Sequence, residues 1–313
     1  MKTEKKFQGT IVPVVAPLTH DYKLDKEAVE RIFSHLYKSN ASPFILGTTG
    51  ESASLPQSYK EDYIKAVAKI RSTDVKLYAG ISSNILEESI AFAKLCFNEG
   101  VDAVAATLPT YYHLSEDQMK RYFLELADEI PGPLIIYNIP ATTHMSIPLS
   151  LMDELSLHPN IVGAKDSERS EKRLDESLNL WKHRPDFSYF LGWAAKSAHA
   201  LINGADGLVP STGNIIPSIY AEMCKAVLKG DEGLAFHYQS QSDKLGHLYQ
   251  HDRSLGESLW ALKVLMNELG LCESHMMPPL CSLSLKEENE LRKGFHELIK
   301  KEKITLNLLS HAS

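Results

Sequence analysis

The runs PLIIYNIP (133–140) and NIVGAK (160–165) decide the fold. Each is a short apolar stretch rich in β-branched residues that gives way at once to polar ones. Continuous apolar runs, rather than strict alternation, mark strands buried on both faces of a parallel sheet. The same kind of run recurs on either side of this pair: IVPVVAP (11–17), PFILG (43–47), VKLYAG (75–80), VDAVAATLP (101–109), FSYFLG (187–192) and GADGLVP (204–210). Their spacing of roughly 20–33 residues is what a crossover helix between parallel strands requires.

Helical stripes fill the intervals. After Asp25, an expected N-cap, apolar residues fall at Ala28, Val29, Ile32, Phe33 and Leu36. Ser58 with Glu61, and Ser115 with Gln118, have the spacing of capping boxes. The first is followed by Ile64, Val67 and Ala68, the second by Met119, Tyr122, Phe123, Leu126 and Ile130. Gly100 fits the position just past a helix that begins near Asn84. Eight strands alternating with helices predict an α/β protein, a (β/α)8 TIM barrel. A doubly wound open sheet is the structural rival. The count of eight, and the lack of G-x-G-x-x-G after the first strand, favour the barrel. Beyond residue 215 strand signals stop, and the pattern predicts the last barrel helix and about three more. The expected division is a barrel domain over 1–230 and a C-terminal helical extension over 231–313.

Composition narrows the function. Lys and Arg number 33 against 40 Asp and Glu, a net charge of −7. An acidic chain without a dense basic run is a poor partner for nucleic acid or an anionic membrane. No apolar run reaches the ~18 residues of a membrane-spanning helix. MKTEKKFQGT (1–10) lacks the apolar stretch of a secretory leader, so a cytoplasmic location is expected. Cys96, Cys224, Cys272 and Cys281 have no C-x-x-C spacing and read as reduced packing residues. His247 and His251 are four apart, but no Glu follows His247 as in H-E-x-x-H, so no metal site is expected.

In a TIM barrel the reactive groups sit at the C-terminal ends of strands. Four such ends carry chemistry here. Gly47-Thr48-Thr49-Gly50-Glu51 follows strand 2; its glycines free the backbone to aim successive N–H groups at a carboxylate or phosphate, or they simply make a turn. Tyr137 ends strand 5 and is either a proton relay or an aromatic cap on the core. Lys165 ends strand 6 behind Gly163 and Ala164. Burial there would lower its pKa, and only a neutral amine attacks a carbonyl; a lysine that snorkels to water is the alternative. Asp166 follows directly and would favour the ammonium form. Tyr111-Tyr112 follows strand 4, as a rim contact or a functional pair.

GTTGE, YNIP and GAKD, in that order and at those intervals, resemble the dihydrodipicolinate synthase / N-acetylneuraminate lyase family, with support from PTYY and GADGLVPSTGNI. The likeness runs from about residue 8 to about residue 230. The resemblance implies a class I lyase with no metal or organic cofactor, usually a homotetramer built as a dimer of dimers. It implies that Lys165 forms an imine with pyruvate or another 2-oxo acid and that Tyr137 is the acid/base group. Thr48 would relay protons, Thr48 and Thr49, the latter with its N–H, would bind the carboxylate, and the Val209 carbonyl would face the bound acid. Tyr112 matches a relay residue that in many members reaches the neighbouring subunit's site.

The departures bear on the rest of the substrate, at the positions held by Thr142 and Gly192. Where the lysine-pathway synthase has an arginine after YN-x-P, this chain has Thr142, and His144 replaces a glycine. Where sialic acid lyases have an acidic pair after Gly-aromatic, Gly192-Trp193 is followed by Ala194-Ala195. The expectation is an aldolase joining or separating pyruvate and an aldehyde, with a 2-oxo-3-deoxy sugar acid or sialic-acid-like compound as the whole. The alternatives are a dihydrodipicolinate synthase-like condensing enzyme or a dehydratase or deaminase using the same imine. A non-catalytic 2-oxo acid binding protein, and a phosphate-binding isomerase resting on Ser211-Thr212-Gly213, remain open.

Overall fold

The computed structural model describes residues 5–306. All eight expected strands are present: β1 (Gly9–Pro13), β2 (Ser42–Ile45), β3 (Tyr78–Gly80), β4 (Ala103–Ala106), β5 (Leu134–Asn138), β6 (Ile161–Asp166), β7 (Ser188–Leu191) and β8 (Gly207–Leu208). They follow one another in chain order around a closed barrel, with parallel pairing from β3 through β8 and from β8 to β1.

The helices are α1 (Lys26–Tyr37), α2 (Gln57–Ala68), α3 (Leu86–Asn98), α4 (Glu116–Glu129), α5 (Pro140–Thr143), α6 (Leu149–Leu155), α7 (Glu171–Trp181) and α8 (Ser197–Ile202). After them come α9 (Pro217–Leu228), α10 (Glu232–Gln250), α11 (Leu255–Glu268) and α12 (Leu285–Glu302). The chain is thus a (β/α)8 TIM barrel followed by C-terminal helices. No described helix is long and apolar enough to cross a membrane.

Most of the start and stop signals act as expected. The Asp25 side chain accepts from the Ala28 N–H, Ser115 and Gln118 form a reciprocal capping box, and Gly100, just past α3, takes φ +88°. The Ser58–Glu61 box does not form. Pro56 is the N-cap and α2 begins at Gln57, which leaves Ser58 inside the first turn, where its hydroxyl cannot cap. Two boxes of the same pattern do form, at Ser254–Glu257 and Ser284–Glu287.

The contacts divide into two compact groupings. One joins Met1–Ile11 with Lys76–Pro210, and the other joins Val12–Val75 with Ser211–Ser313. In the first, Phe190 of β7 fills space that its neighbours leave open. A Cβ on Gly207 would lie 2.8 Å from the Phe190 ring and 2.4 Å from the Gly9 carbonyl, and one on Gly163 would lie 3.1 Å from the ring. Tyr78 bridges Phe190 and Phe7 edge to face, with centroids 6.4 and 6.2 Å apart. Lys5 is buried here as well. Its three donors reach the Trp181 carbonyl (3.1 Å), the Phe187 carbonyl (2.7 Å) and Asp206 Oδ2 (2.8 Å). Such saturation is what makes a buried ammonium tolerable.

In the second grouping, side chains reach the backbone at the end of β1 and just beyond it. The Tyr59 hydroxyl donates to the Pro17 carbonyl at 2.8 Å, and Asn214 Nδ2 donates to the Pro13 carbonyl at 2.8 Å. Helix α10 supports the turn after β8, where the Ser211 and Tyr249 hydroxyls are 2.7 Å apart.

Candidate active site

Lys165 and Tyr137 face each other across β5 and β6, and an irregularity in the sheet puts them there. Leu134 pairs with Ile161, but the next residue, Ile135, pairs with Gly163. Val162 is therefore an extra residue in β6, a bulge of the kind that re-aims side chains at strand ends. Without it Tyr137 would stand opposite Ala164; with it Tyr137 stands opposite Lys165.

The Lys165 ammonium lies 3.7 Å from the centre of the Tyr137 ring. Both residues are buried, at 5% and 4% exposure. Burial pushes the Lys165 ammonium below the usual lysine range, against the opposing pull of the Tyr137 phenol. A buried amine that releases its proton more readily than an exposed lysine is a better nucleophile at neutral pH.

Asp166 does not act on Lys165 as the sequence suggested. Successive residues of a strand face opposite ways, and the Asp166 carboxylate is occupied on its own side. Oδ2 accepts from Arg173 Nε at 2.6 Å, while Oδ1 accepts from Asn138 Nδ2 at 2.9 Å and from the Glu168 N–H at 2.9 Å. Arg173 also donates to the Ile147 carbonyl at 2.8 Å. Asn138 Oδ1 accepts from the Ile147 N–H at 3.0 Å, and Glu168 Oε2 accepts from Asn138 and from the Ser146 hydroxyl. This network holds the segment after α5 to the end of β6. Sequence reasoning passed over Arg173 and Glu168, which nothing in their spacing marks, and gave Asn138, though part of YNIP, no role.

The substrate-binding positions expected on this side fall around the same strand ends. The Gly192 N–H donates to the Asp166 carbonyl at 2.7 Å and the Val209 N–H to the Leu191 carbonyl at 2.8 Å, so the ladder continues past β7 and β8. A Cβ on Gly192 would lie 2.1 Å from the Ser167 hydroxyl oxygen, so Ser167, which carries no sequence signal, covers that glycine. Thr142 is half-buried on α5, its hydroxyl 3.4 Å from the Ile139 carbonyl. His144 ends α5 at φ +58°, the left-handed region that glycine adopts most readily. Ala194 and Ala195 form a short 3-10 turn, completed by Lys196. Tyr111 and Tyr112 contact each other edge to face, with centroids 4.9 Å apart, and Tyr112 is 75% exposed.

Thr48 and Thr49 belong to the other grouping, in the loop after β2. Its N–H groups do not all converge on one point. Those of Gly50 and Ser52 close onto the Gly47 carbonyl and that of Glu51 onto the Thr48 carbonyl. Thr49 is buried and Thr48 partly exposed. The glycine at 50 is required by space, since a Cβ there would lie 2.9 Å from the Val14 carbonyl oxygen.

Glu51 is the unexpected member of this loop. Its carboxylate is fully buried, with Oε1 2.5 Å from Lys263 Nζ on α11 and Oε2 accepting from the Met277 N–H at 2.8 Å. The signal was present in the sequence: Lys263 is the lone charge in the apolar run SLWALKVLM (258–266). Among the described residues no group of three or more His, Cys, Asp and Glu is placed to hold a metal ion.

A sequence model of the dihydrodipicolinate synthetase family matches residues 6–298. The 4-hydroxy-tetrahydrodipicolinate synthase of Neisseria meningitidis is 29% identical over 283 residues, covering 89% of this chain and 94% of that one. Among solved structures, the dihydrodipicolinate synthase of Bacteroides thetaiotaomicron superposes with a TM-score of 0.88 at 27% identity, covering 94% and 99% of the two chains. YagE of E. coli K12, a prophage protein of the dihydrodipicolinic acid synthase family solved in complex with pyruvate, gives 0.88 at 25% identity over 96% and 100%. With the closed eight-stranded barrel and a match across nearly its whole length, the chain belongs to the dihydrodipicolinate synthetase family and is a lyase of the lysine Schiff-base, aldolase class.

Proposed function

We propose that Lys165 forms an imine with pyruvate and that the enzyme then joins the pyruvate methyl carbon to an aldehyde, or reverses that step. The observation that carries this reading is the buried Lys165 amine 3.7 Å from the Tyr137 ring. The neutral Nζ attacks the pyruvate C2 carbonyl carbon, and the carbonyl oxygen leaves as water with two protons. The resulting protonated imine is an electron sink. It accepts the electron pair left when C3 loses a proton, or when the bond from C3 to the former aldehyde carbon breaks. In the forward direction C3 attacks the aldehyde and a proton passes to the new alkoxide; water then frees the lysine. Tyr137 moves these protons. Thr48 and Thr49, the latter also through its N–H, hold the pyruvate carboxylate, Thr48 and Tyr112 relay protons, and the Val209 carbonyl faces the bound acid. Orientation by the carboxylate is what turns the encounter into a productive one.

The names of the relatives favour the condensing direction over cleavage of a sugar acid, and a sialic-acid-like substrate has no support among them. A second reading keeps the imine but changes the acceptor. Thr142 stands where the lysine-pathway synthase has its arginine, so this enzyme offers no guanidinium at that position to a second carboxylate. Ser167, which lies over Gly192, is the polar group this reading offers to the far end of the acceptor. The exposed Tyr112 supports a homo-oligomer in which that ring is covered by a second copy. The separation of a catalytic barrel over 1–230 from a helical extension over 231–313, and a cytoplasmic location, belong to the same proposal.

Borohydride reduction in the presence of pyruvate, followed by peptide mass spectrometry, tests the imine. A reduced pyruvate adduct on Lys165, absent in Lys165→Ala, is expected; trapping elsewhere or not at all would sink the proposal. Formation of the dihydrodipicolinate-pathway product from pyruvate and aspartate semialdehyde would overturn the second reading.

A further inference from the structure

We infer that Glu51 and Lys263 are positioning residues that hold the Gly47–Glu51 loop in the shape with which Thr48 and Thr49 take a carboxylate. The inference deepens the reading above and rests on it. Its physical basis is the cost of the arrangement. Both side chains are wholly removed from solvent, and a buried ion pair is rarely more stable than the apolar residues that would fit the same space. A pair placed there needs a reason other than stability.

The geometry supplies one. Glu51 takes φ +54° and Leu46, at the other end of the loop, φ +58°, so the loop is bounded by two non-glycine residues in the left-handed region, which the surroundings must enforce. The enforcing contacts act on Glu51. Oε1 meets Lys263 Nζ and Oε2 meets the Met277 N–H, while the Glu51 N–H closes on the Thr48 carbonyl at 3.1 Å. Lys263 is itself fixed by the His275 carbonyl at 2.6 Å. The chain from His275 through Lys263 and Glu51 to Thr48 is therefore continuous. It has an electrostatic consequence as well: the charge of Glu51, three residues from Thr48, is cancelled by Lys263, so the loop presents no net negative charge to an incoming carboxylate.

The test uses two carbonyl compounds in the full-length enzyme. Pyruvate and hydroxyacetone both form imines, but only pyruvate has a carboxylate. Borohydride-trapped adduct at Lys165 is measured against the concentration of each in wild type, Glu51→Gln, Lys263→Met and the double variant, which leaves no charge unpaired. A misplaced hydrogen-bond donor to a charged ligand raises half-saturation about tenfold or more. That rise is expected for pyruvate in all three variants, with hydroxyacetone unchanged and with turnover at saturating pyruvate near wild type. Parallel losses for both compounds, wild-type pyruvate preference in the double variant, or failure of the double variant to fold would each overturn the positioning role. Absence of any Lys165 adduct in wild type would instead remove the imine reading beneath it.

Discussion

Replacing Arg173 with Met should destabilise the protein in a way that depends on pH, and the structure sets both size and sign. Arg173 Nε is 2.6 Å from Asp166 Oδ2, and the Asp166 side chain is 2% exposed. Removing one partner of a buried pair leaves an uncompensated charge, which costs about 3–5 kcal/mol. For a chain of 313 residues that is a fall in melting temperature of roughly 5–8 °C. Burial already pushes the Asp166 carboxyl up, and Arg173 is the main counterweight; without it the carboxyl rises further. A carboxyl raised in the folded state favours the fold while protonated. That advantage is complete below its unfolded value of about 3.9 and is lost as pH rises through the folded value. The deficit of Arg173→Met should therefore be largest near neutral pH and shrink as pH falls. Adding Asp166→Asn should recover most of it at neutral pH. Urea midpoints for wild type, the single variant and the double variant across about pH 5–8 measure this. A deficit that is flat with pH, or one that Asp166→Asn leaves untouched, would refute the assignment of Arg173 as the group that opposes the upward push of burial on Asp166.

Tyr137→Phe keeps the ring beside Lys165 and removes the phenol; turnover should fall by about 10²–10⁴ while the borohydride-trapped imine persists, and loss of the imine itself would contradict the division of roles. Gly163→Ala places a Cβ 2.6 Å from the Ser188 carbonyl oxygen, so β6 and β7 must move apart close to Lys165. The expected cost is about 1–3 kcal/mol of overpacking with a raised half-saturation for pyruvate, read from urea midpoints and trapping curves; an unchanged variant would show that the strands yield without consequence. His144→Gly relieves a left-handed residue and should stabilise the chain by about 1 kcal/mol, visible as a higher melting temperature with activity unaltered; a loss of activity would assign the His144 side chain a function.

The barrel was legible because its strands are buried on both faces. Burial makes each one a continuous apolar run, and the eight runs map onto β1 to β8 with ends displaced by a few residues. Lys165 and Tyr137 were legible as polar groups ending such runs. Their pairing was not, because it depends on the extra Val162 in β6, a backbone irregularity that no side-chain pattern announces. The role of Asp166 was misread for a related reason. Adjacency in sequence suggested a charge acting on Lys165, but alternation along the strand turns it toward Arg173. Ser58 had the right spacing for a cap and lost it to Pro56, which fixes an earlier entry to α2. The Glu51–Lys263 pair joins residues 212 positions apart, a separation that local pattern cannot bridge, although a lone lysine inside an apolar helix is a sign that a buried partner exists.

A covalent bond from Lys165 to pyruvate is tested most directly by a crystal structure of the enzyme soaked with pyruvate. Continuous density from Lys165 Nζ to pyruvate C2, with the carboxylate on Thr48 and Thr49, is the result this account predicts. Pyruvate bound without a bond to Lys165, or joined to a different lysine, would contradict it.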